Sequence, residues 1–330
     1  MLKSFSFSSI DFRAAWHPKH SPSDLESRGP LQKVISKIKN ILLFLPNSLV
    51  AACFNPRSEA LFIRADDQHF SSPARGFAQT IITPDGVRLA AYIRLVSEGP
   101  NTPTVILFNP WGCNAGIHDR IADQFHEKRC NVVTFNYRGL KDTKRAEDFV
   151  VDGESVYQFV SQKIQLDANK IHFYGVSLGG AVAAQVKALH PESKGKYVGD
   201  RPFASVFSLI TEFFSVEKLG PIVQKITSAI SAIFLAYPVY LLGWEWDGKQ
   251  ALEQMKGEKI ITYHPEDALV SQKASLALQC SDSTQILSLE PTLPPRKGFD
   301  AHFAPISAFY SPSLDQPNPL HIITNFLSQN

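Results

Sequence analysis

The stretch Lys170-Ile171-His172-Phe173-Tyr174-Gly175-Val176-Ser177-Leu178-Gly179-Gly180-Ala181-Val182-Ala183-Ala184 decides how this chain is read. Its first part, Lys170 to Gly175, is an apolar run of strand length. Residues 178–190 place small and apolar side chains at helical spacing, so a strand turns directly into a helix. The G-x-S-x-G pattern alone is a weak signal, and its place between strand and helix gives it weight. At so sharp a turn the positions two before and two after the serine have no room for a side chain, hence Gly175 and Gly179. Ser177 is then pushed into a strained backbone conformation with its hydroxyl presented above the strand ends. Gly180, Ala181, Ala183 and Ala184 let the helix approach the sheet closely. Its N-terminus offers N–H groups and the positive end of a dipole to a developing oxyanion. A glycine-rich turn with a bystander serine is the competing reading.

Working outward, apolar runs of strand length alternate with amphipathic segments. Residues 77–95 hold two apolar runs around Pro84-Asp85-Gly86, the pattern of a β-hairpin. Strands are expected at 104–110, 131–139, 170–175, 203–210, 259–264 and 284–290, and helices at 117–128, 148–163, 178–190 and 319–327. This alternation predicts an α/β fold, a mostly parallel sheet with helices on both faces. Between the strands at 203–210 and 259–264 lies a long insert, residues 211–256. Its stretch 226–244 is uncharged and reaches the roughly 18–20 residues of a membrane span. A span there would pull the sheet apart, and Pro238, Thr227, Ser228 and Ser231 interrupt it, so the expectation is a helical cap.

Residues 1–76 read as an extension to a main domain at 77–330. Within it Leu31, Val34, Ile35, Ile38, Ile41 and Leu42 recur at helical spacing, with Lys33, Lys37 and Lys39 largely opposite. This suits a packing arm, or a basic amphipathic helix in peripheral contact with a membrane. The first residues, MLKSFSFSSIDFRAAW, lack the apolar core of a signal peptide, so the expected location is cytoplasmic. In the 330 residues, 33 basic and 31 acidic side chains leave a net charge of +2, which argues against nucleic-acid binding. A hydrophobic content of 44% supports a sizeable core rather than disorder. The four cysteines are scattered without metal-finger spacing, and no metal or organic cofactor is implied.

A serine nucleophile needs a base and an orienting acid. Behind a G-x-S-x-G turn these follow in the order serine, acid, histidine, at the ends of later strands. His302 and His321 lie beyond the last strand. His321 falls within the apolar pattern of the terminal helix, whereas His302 sits in a loop and is the expected base. Glu266 and Asp267 compete as the acid directly after the strand at 259–264. Asp267 is preferred because it opens a loop that re-enters the domain. Glu212 is a further alternative, and Asp300 is read as a loop-ordering group. The oxyanion donors are expected to be the backbone N–H of Leu178 and that of Gly112 or Cys113, in the loop after residue 110. Cys113 itself has no elbow to present it as a nucleophile. A substrate pocket in the cap is expected to use Phe213, Phe214, Phe234 and Leu241.

From about residue 77 to 310 the chain resembles the α/β-hydrolases. The resemblance rests on the hairpin turn Pro84-Asp85-Gly86, the turn Asn136-Tyr137-Arg138-Gly139, the Ser177 elbow, and the Asp267 and His302 loops in that order. Gly199-Asp200-Arg201-Pro202-Phe203-Ala204-Ser205 and Gly243-Trp244-Glu245-Trp246-Asp247 are similar to a lipase-like subgroup of intracellular bacteria of the Chlamydia and Legionella type. That resemblance implies a bacterial effector translocated into a host cell as a second possible location. One departure is Asn109-Pro110-Trp111-Gly112 where many hydrolases carry His-Gly, which leaves the oxyanion donor open by one residue. The expected activity is hydrolysis of a small-molecule or lipid ester, or a thioester, through an acyl-enzyme on Ser177. An acyltransferase, or a non-catalytic protein that keeps the fold to bind a membrane or partner, stands as the alternative.

Overall fold

A computed structural model of the chain describes residues 76–96, 99–139, 142–213, 221–280, 284–291, 301–302, 304–311 and 318–329. The expected N-terminal extension, including its basic amphipathic helix, lies outside the described residues. The strands are β1 (Phe77–Ile82), β2 (Arg88–Arg94), β3 (Thr104–Phe108), β4 (Asn131–Phe135), β5 (Ile171–Val176), β6 (Tyr197–Asp200), β7 (Lys259–Tyr263) and β8 (Thr284–Ser288). They form one sheet in the order β1-β2-β4-β3-β5-β6-β7-β8. β2 runs antiparallel to both of its neighbours, and every pairing from β4 to β8 is parallel.

β3, β4 and β5 are buried along almost their whole length and mostly apolar, because both faces of the sheet are covered. On one face, Ile121 and Phe125 of α1 (Asp119–Glu127) join Leu320 and Ile323 of a terminal helix, Pro319–Ser328, in a cluster with Val105 and Leu107 of β3. On the other face Phe108 stacks on Phe173 and meets Phe135 edge-on. There α2 (Glu147–Gln158) comes so close that a Cβ at Gly153 would lie 2.7 Å from the Phe108 ring. The hairpin turn is tied to the end of β4 by charge. Arg138 donates to Asp85 (2.7 Å) and to the buried Asp152 of α2 (2.8 Å).

Two sequence expectations need correction. Residues 203–210 form no strand; the fourth parallel strand is β6, four residues long, which follows α3 (Leu178–Ala188) and leads into α4 (Val206–Phe213). A short apolar run does not separate strand from helix by periodicity. What decides it here is capping. The Glu245 carboxylate accepts the N–H groups of Val206 and Phe207, both at 2.9 Å, and the Ser205 hydroxyl accepts that of Ser208 (3.0 Å). The helical insert therefore begins near residue 206 and continues through α5 (Pro221–Ser231), α6 (Tyr237–Leu241) and α7 (Gly248–Gln254). Between α5 and α6 the helix widens by one residue over Ala232–Ala236, where the Tyr237 N–H reaches back to the Ala232 carbonyl. Pro238 follows at once and has no N–H to donate, which the widened turn accommodates. Among the described residues no helix is long and apolar enough to cross a membrane.

His172 gives this core an acid-sensitive point. Its ring is buried, and Nδ1 accepts the Lys196 N–H at 2.9 Å, a bond only the unprotonated nitrogen can make. Burial first, and the charges of Lys196, Lys170 and Lys187 after it, push its pKa down to about 3. The folded state then binds fewer protons than the unfolded chain between pH 6.5 and 3, so stability falls as the pH drops through that window. From pH 6.5 to 5 this site is expected to cost about 2 kcal/mol. Urea unfolding at pH 7 and pH 5 measures it. The pH 7-to-5 loss should shrink by about that amount in His172→Gln, which keeps an acceptor without titrating. An unchanged difference between the two pH values would remove His172 from the account.

Candidate active site

Ser177 directly follows β5 and forms the elbow. It is one of the few non-glycine residues with positive φ among those described (φ 52°, ψ −117°). The surrounding backbone leaves no alternative. A Cβ on Gly175 would fall 2.2 Å from the Gly179 carbonyl oxygen, and one on Gly179 would fall 2.1 Å from that of Phe108. The first turn of α3 thus lies directly against the end of β3. The Ser177 N–H donates to the Asp200 carbonyl at the end of β6 (2.9 Å).

The sheet order places β6 between β5 and β7, and Asp267 follows β7. Asp267 Oδ1 accepts the N–H groups of Leu269 (2.9 Å) and Val270 (2.8 Å), which fixes the carboxylate. Its Oδ2 lies 2.8 Å from His302 Nδ1, and His302 Nε2 lies 2.9 Å from Ser177 Oγ. All three side chains are buried, at 7%, 6% and 5% exposure for Ser177, Asp267 and His302. A carboxylate facing Nδ1 favours the tautomer with its proton there, so that Nε2 can accept from the serine hydroxyl. The segment after His302 returns to the stretch that follows β8, where Phe309–Tyr310 and Glu290–Pro291 form a separate two-stranded antiparallel pair.

The competing acids do not reach this chain of bonds. Glu266 is exposed, and its N–H donates to His264 Nδ1 (3.0 Å). Glu212 lies on α4 with Lys273 3.9 Å away. Asp300 is outside the described residues. His321 is exposed on α8 (Pro319–Ser328), not packed in its apolar face as its position in the pattern suggested.

The loop after β3 is held from both sides. Asn109 Nδ2 donates to the Phe135 carbonyl (2.6 Å), and Asn136 Oδ1 accepts the Ala115 N–H (2.7 Å). Within it the Cys113 N–H closes a turn onto the Pro110 carbonyl (3.3 Å), and Gly112 takes φ 71°. Of the two donors named for this loop, Cys113 gives its N–H to that turn. Cys113 is exposed at the surface, and the partial desolvation of its thiol by the loop raises its pKa, which opposes a nucleophilic role. Leu178 opens α3 directly beside Ser177. Sequence reasoning missed Asn136 as the tether of this loop, although it stands in a turn that the resemblance had marked.

The pocket residues fare differently. Phe214 and the side chains of Phe213 and Phe234 lie outside the described residues. Leu241 is 44% exposed and belongs to an open apolar row along the insert with Ile226, Ile230, Ile233, Tyr237 and Tyr240. It is therefore not a wall of a closed pocket.

No protein-family model matches the chain. It is similar to Protein bem46 of Schizosaccharomyces pombe, 29% identical over 137 residues that make up 40% of this chain and 46% of that protein. It is also similar to the Alpha/beta hydrolase domain-containing protein WAV2 of Arabidopsis thaliana, 24% identical over 129 residues, 38% of this chain and 42% of that one. The chain thus spans less than half the length of the curated relatives it matches. Among solved structures, acetyl xylan esterase 1 of Thermoanaerobacterium sp. JW/SL YS485 superposes with a TM-score of 0.50 at 16% identity, covering 70% of this chain and 82% of that one. The acetyl xylan esterase of Paenibacillus sp. R4 gives a TM-score of 0.50 at 14% identity over 64% of this chain and 76% of that one. With its sheet order, its elbow and these likenesses, the chain has the α/β-hydrolase fold.

Proposed function

We propose that the protein is a serine hydrolase of carboxylic esters or thioesters, with a preference for a lipid-like acyl group. The observation that carries this is the continuous hydrogen-bonded line Ser177–His302–Asp267 at a strand–turn–helix elbow. In this reading His302 Nε2 takes the Ser177 proton as Oγ bonds to the acyl carbon. The Leu178 and Gly112 N–H groups receive the oxyanion, and His302 returns the proton to the departing alcohol or thiol. Water, activated by the same imidazole, then releases the acid from Ser177. Asp267 holds the tautomer and stabilises the imidazolium without accepting the proton. A non-catalytic role would leave these distances under no constraint, and the closed line of contacts favours catalysis. The closer likeness to the lipase-like subgroup rests on the runs at 199–205 and 243–247, and with it a place among translocated effectors.

The acyl preference rests on the open apolar row of the insert, which gives a long chain, or the lipid surface it leaves, somewhere to lie. Each methylene that leaves water contributes about 0.8 kcal/mol. The four that separate butyrate from octanoate are worth roughly 3 kcal/mol at full burial, and half of that raises kcat/KM about tenfold. Below their aggregation limits, p-nitrophenyl octanoate is expected to be cleaved more efficiently than the butyrate. Replacing Phe234 and Leu241 by alanine should narrow the ratio and leave acetate turnover nearly intact. A rate that peaks at acetate or butyrate and then falls steeply would leave a short-chain esterase instead.

A further inference from the structure

The run Gly199-Asp200-Arg201-Pro202-Phe203-Ala204-Ser205 takes no part in the steps above, yet its second and third residues touch both ends of the serine–histidine pair. We propose that Asp200 and Arg201 act as a clamp that holds the His302 loop in register with the Ser177 elbow, with Arg201 as a positioning residue. The proposal rests on the triad reading for its functional meaning.

The geometry is continuous from one side of the site to the other. Arg201 Nη1 donates to the carbonyls of Ala301 and Ala304 (2.8 Å to Ala304), which bracket His302 in sequence. The other arm of the guanidinium grips its neighbour, with Nε 2.9 Å from Asp200 Oδ1 and Nη2 3.0 Å from Oδ2. The rest of the carboxylate is engaged by Thr262 Oγ1 on Oδ1 (2.8 Å) and the Tyr174 hydroxyl on Oδ2 (3.1 Å). Asp200 therefore has no oxygen left to serve as an alternative acid, although it ends the strand next to that of Ser177. Its own carbonyl accepts the Ser177 N–H. The guanidinium also lies over the Phe309 ring, 5.1 Å from the centroid, where the histidine segment pairs with the stretch after β8.

Three features separate this arrangement from an ordinary ion pair. Both side chains are almost wholly buried, at 1% and 2% exposure, so the pair carries a desolvation cost that exposed pairs avoid. Arg201 adopts φ 52°, a region that residues with a side chain enter only when their surroundings hold them there. What holds it is β7, since the Arg201 N–H donates to the carbonyl and hydroxyl oxygens of Thr262, both at 3.1 Å. Finally, the bonds to Asp200 and to the two carbonyls require donors diverging in one plane, which guanidinium has and ammonium lacks. Burial alone would raise the Asp200 carboxyl pKa, and the Arg201 charge with the three hydrogen-bonding side chains overrides it and holds it low. The clamp therefore stays ionised over the working pH range.

The test uses the full chain with Arg201→Lys, which keeps the charge and loses the fork. A loose imidazole reduces turnover without weakening substrate binding. The expected result is a fall in kcat on the order of ten- to hundredfold with KM little changed. In a His302→Ala background the same substitution should cause no further fall, because a positioning residue acts only through the group it positions. A readout independent of turnover is the low-field proton resonance of the His302–Asp267 hydrogen bond, expected to broaden or disappear in Arg201→Lys while circular dichroism shows a folded protein. Wild-type kcat together with an unaltered resonance would overturn the clamp, as would an equal loss of activity in both backgrounds. If Arg201→Lys does not fold, Thr262→Val, which loosens Asp200, should show the same signature and Thr262→Ser should restore it. Failure of the wild type to cleave any ester would count against the hydrolase reading, and the resonance would still decide the clamp.

Discussion

Ser177→Ala is expected to abolish ester turnover and covalent labelling by a fluorophosphonate together, because the atom that forms the acyl bond is gone. His302→Ala should lower kcat by about 10⁴-fold or more, to the residual rate that oxyanion stabilisation and binding sustain. Asp267→Asn should fall nearly as far, for a reason visible in the contacts of the carboxylate. Its Oδ1 already accepts the Leu269 and Val270 N–H groups. An asparagine would keep its oxygen there and turn its NH₂ toward His302 Nδ1. The imidazole would then carry its proton on Nε2, facing a hydroxyl whose proton it can no longer take. Glu266→Gln and Glu212→Gln, whose carboxylates lie outside the triad, should retain activity within about twofold, the range of ordinary surface changes. If Glu266→Gln proved the crippling change and Asp267→Asn did not, the acid would be misassigned. Steady-state kinetics on p-nitrophenyl butyrate with parallel labelling separates these cases.

The residues of that line were legible in the sequence because each is fixed by a local requirement. Gly175 and Gly179 mark a turn that admits no side chain, and Asp267 and His302 each follow a strand that its apolar run announces. β6 was not legible in the same way. Tyr197-Val198-Gly199-Asp200 is four residues long and half of it is turn chemistry, while the longer apolar run beside it looked more like a strand. The carboxylate that makes that run a helix, Glu245, lies some forty residues further on, beyond the reach of any local pattern. The role of Arg201 was hidden for the same reason. Its carbonyl partners are about a hundred residues away, and a buried arginine in a short motif carries no periodic signature. The motif could be seen to be particular without showing what it grips. Leu241 was hidden differently, since an aliphatic side chain in an insert does not say which face of a helix it occupies, and it proved to be exposed.

The elbow also makes a prediction about folding rather than chemistry. Gly179→Ala is expected to destabilise the protein by at least about 3 kcal/mol, the upper end of what an added methyl costs in a packed interior. The usual escape is closed. Side chains can rotate away from an intruding carbon, but the new Cβ would meet backbone, 2.1 Å from the Phe108 oxygen and 2.6 Å from that of Asn109. Relief would require α3 to withdraw from the end of β3, and that motion breaks the pairing of β3 with β5 or opens the turn at Ser177. Gly86→Ala supplies the comparison. Its φ of 87° also disfavours a side chain, yet nothing lies within 4 Å of the added carbon. The cost there is conformational strain alone, about 1–2 kcal/mol. Chemical denaturation of the two variants should rank Gly179→Ala well below Gly86→Ala in midpoint, and Gly179→Ala should lose fluorophosphonate labelling as the turn relaxes. Equal midpoints would mean that the helix has slack against the sheet, and the strained backbone of Ser177 would then need a cause other than the close approach of Gly179 to β3.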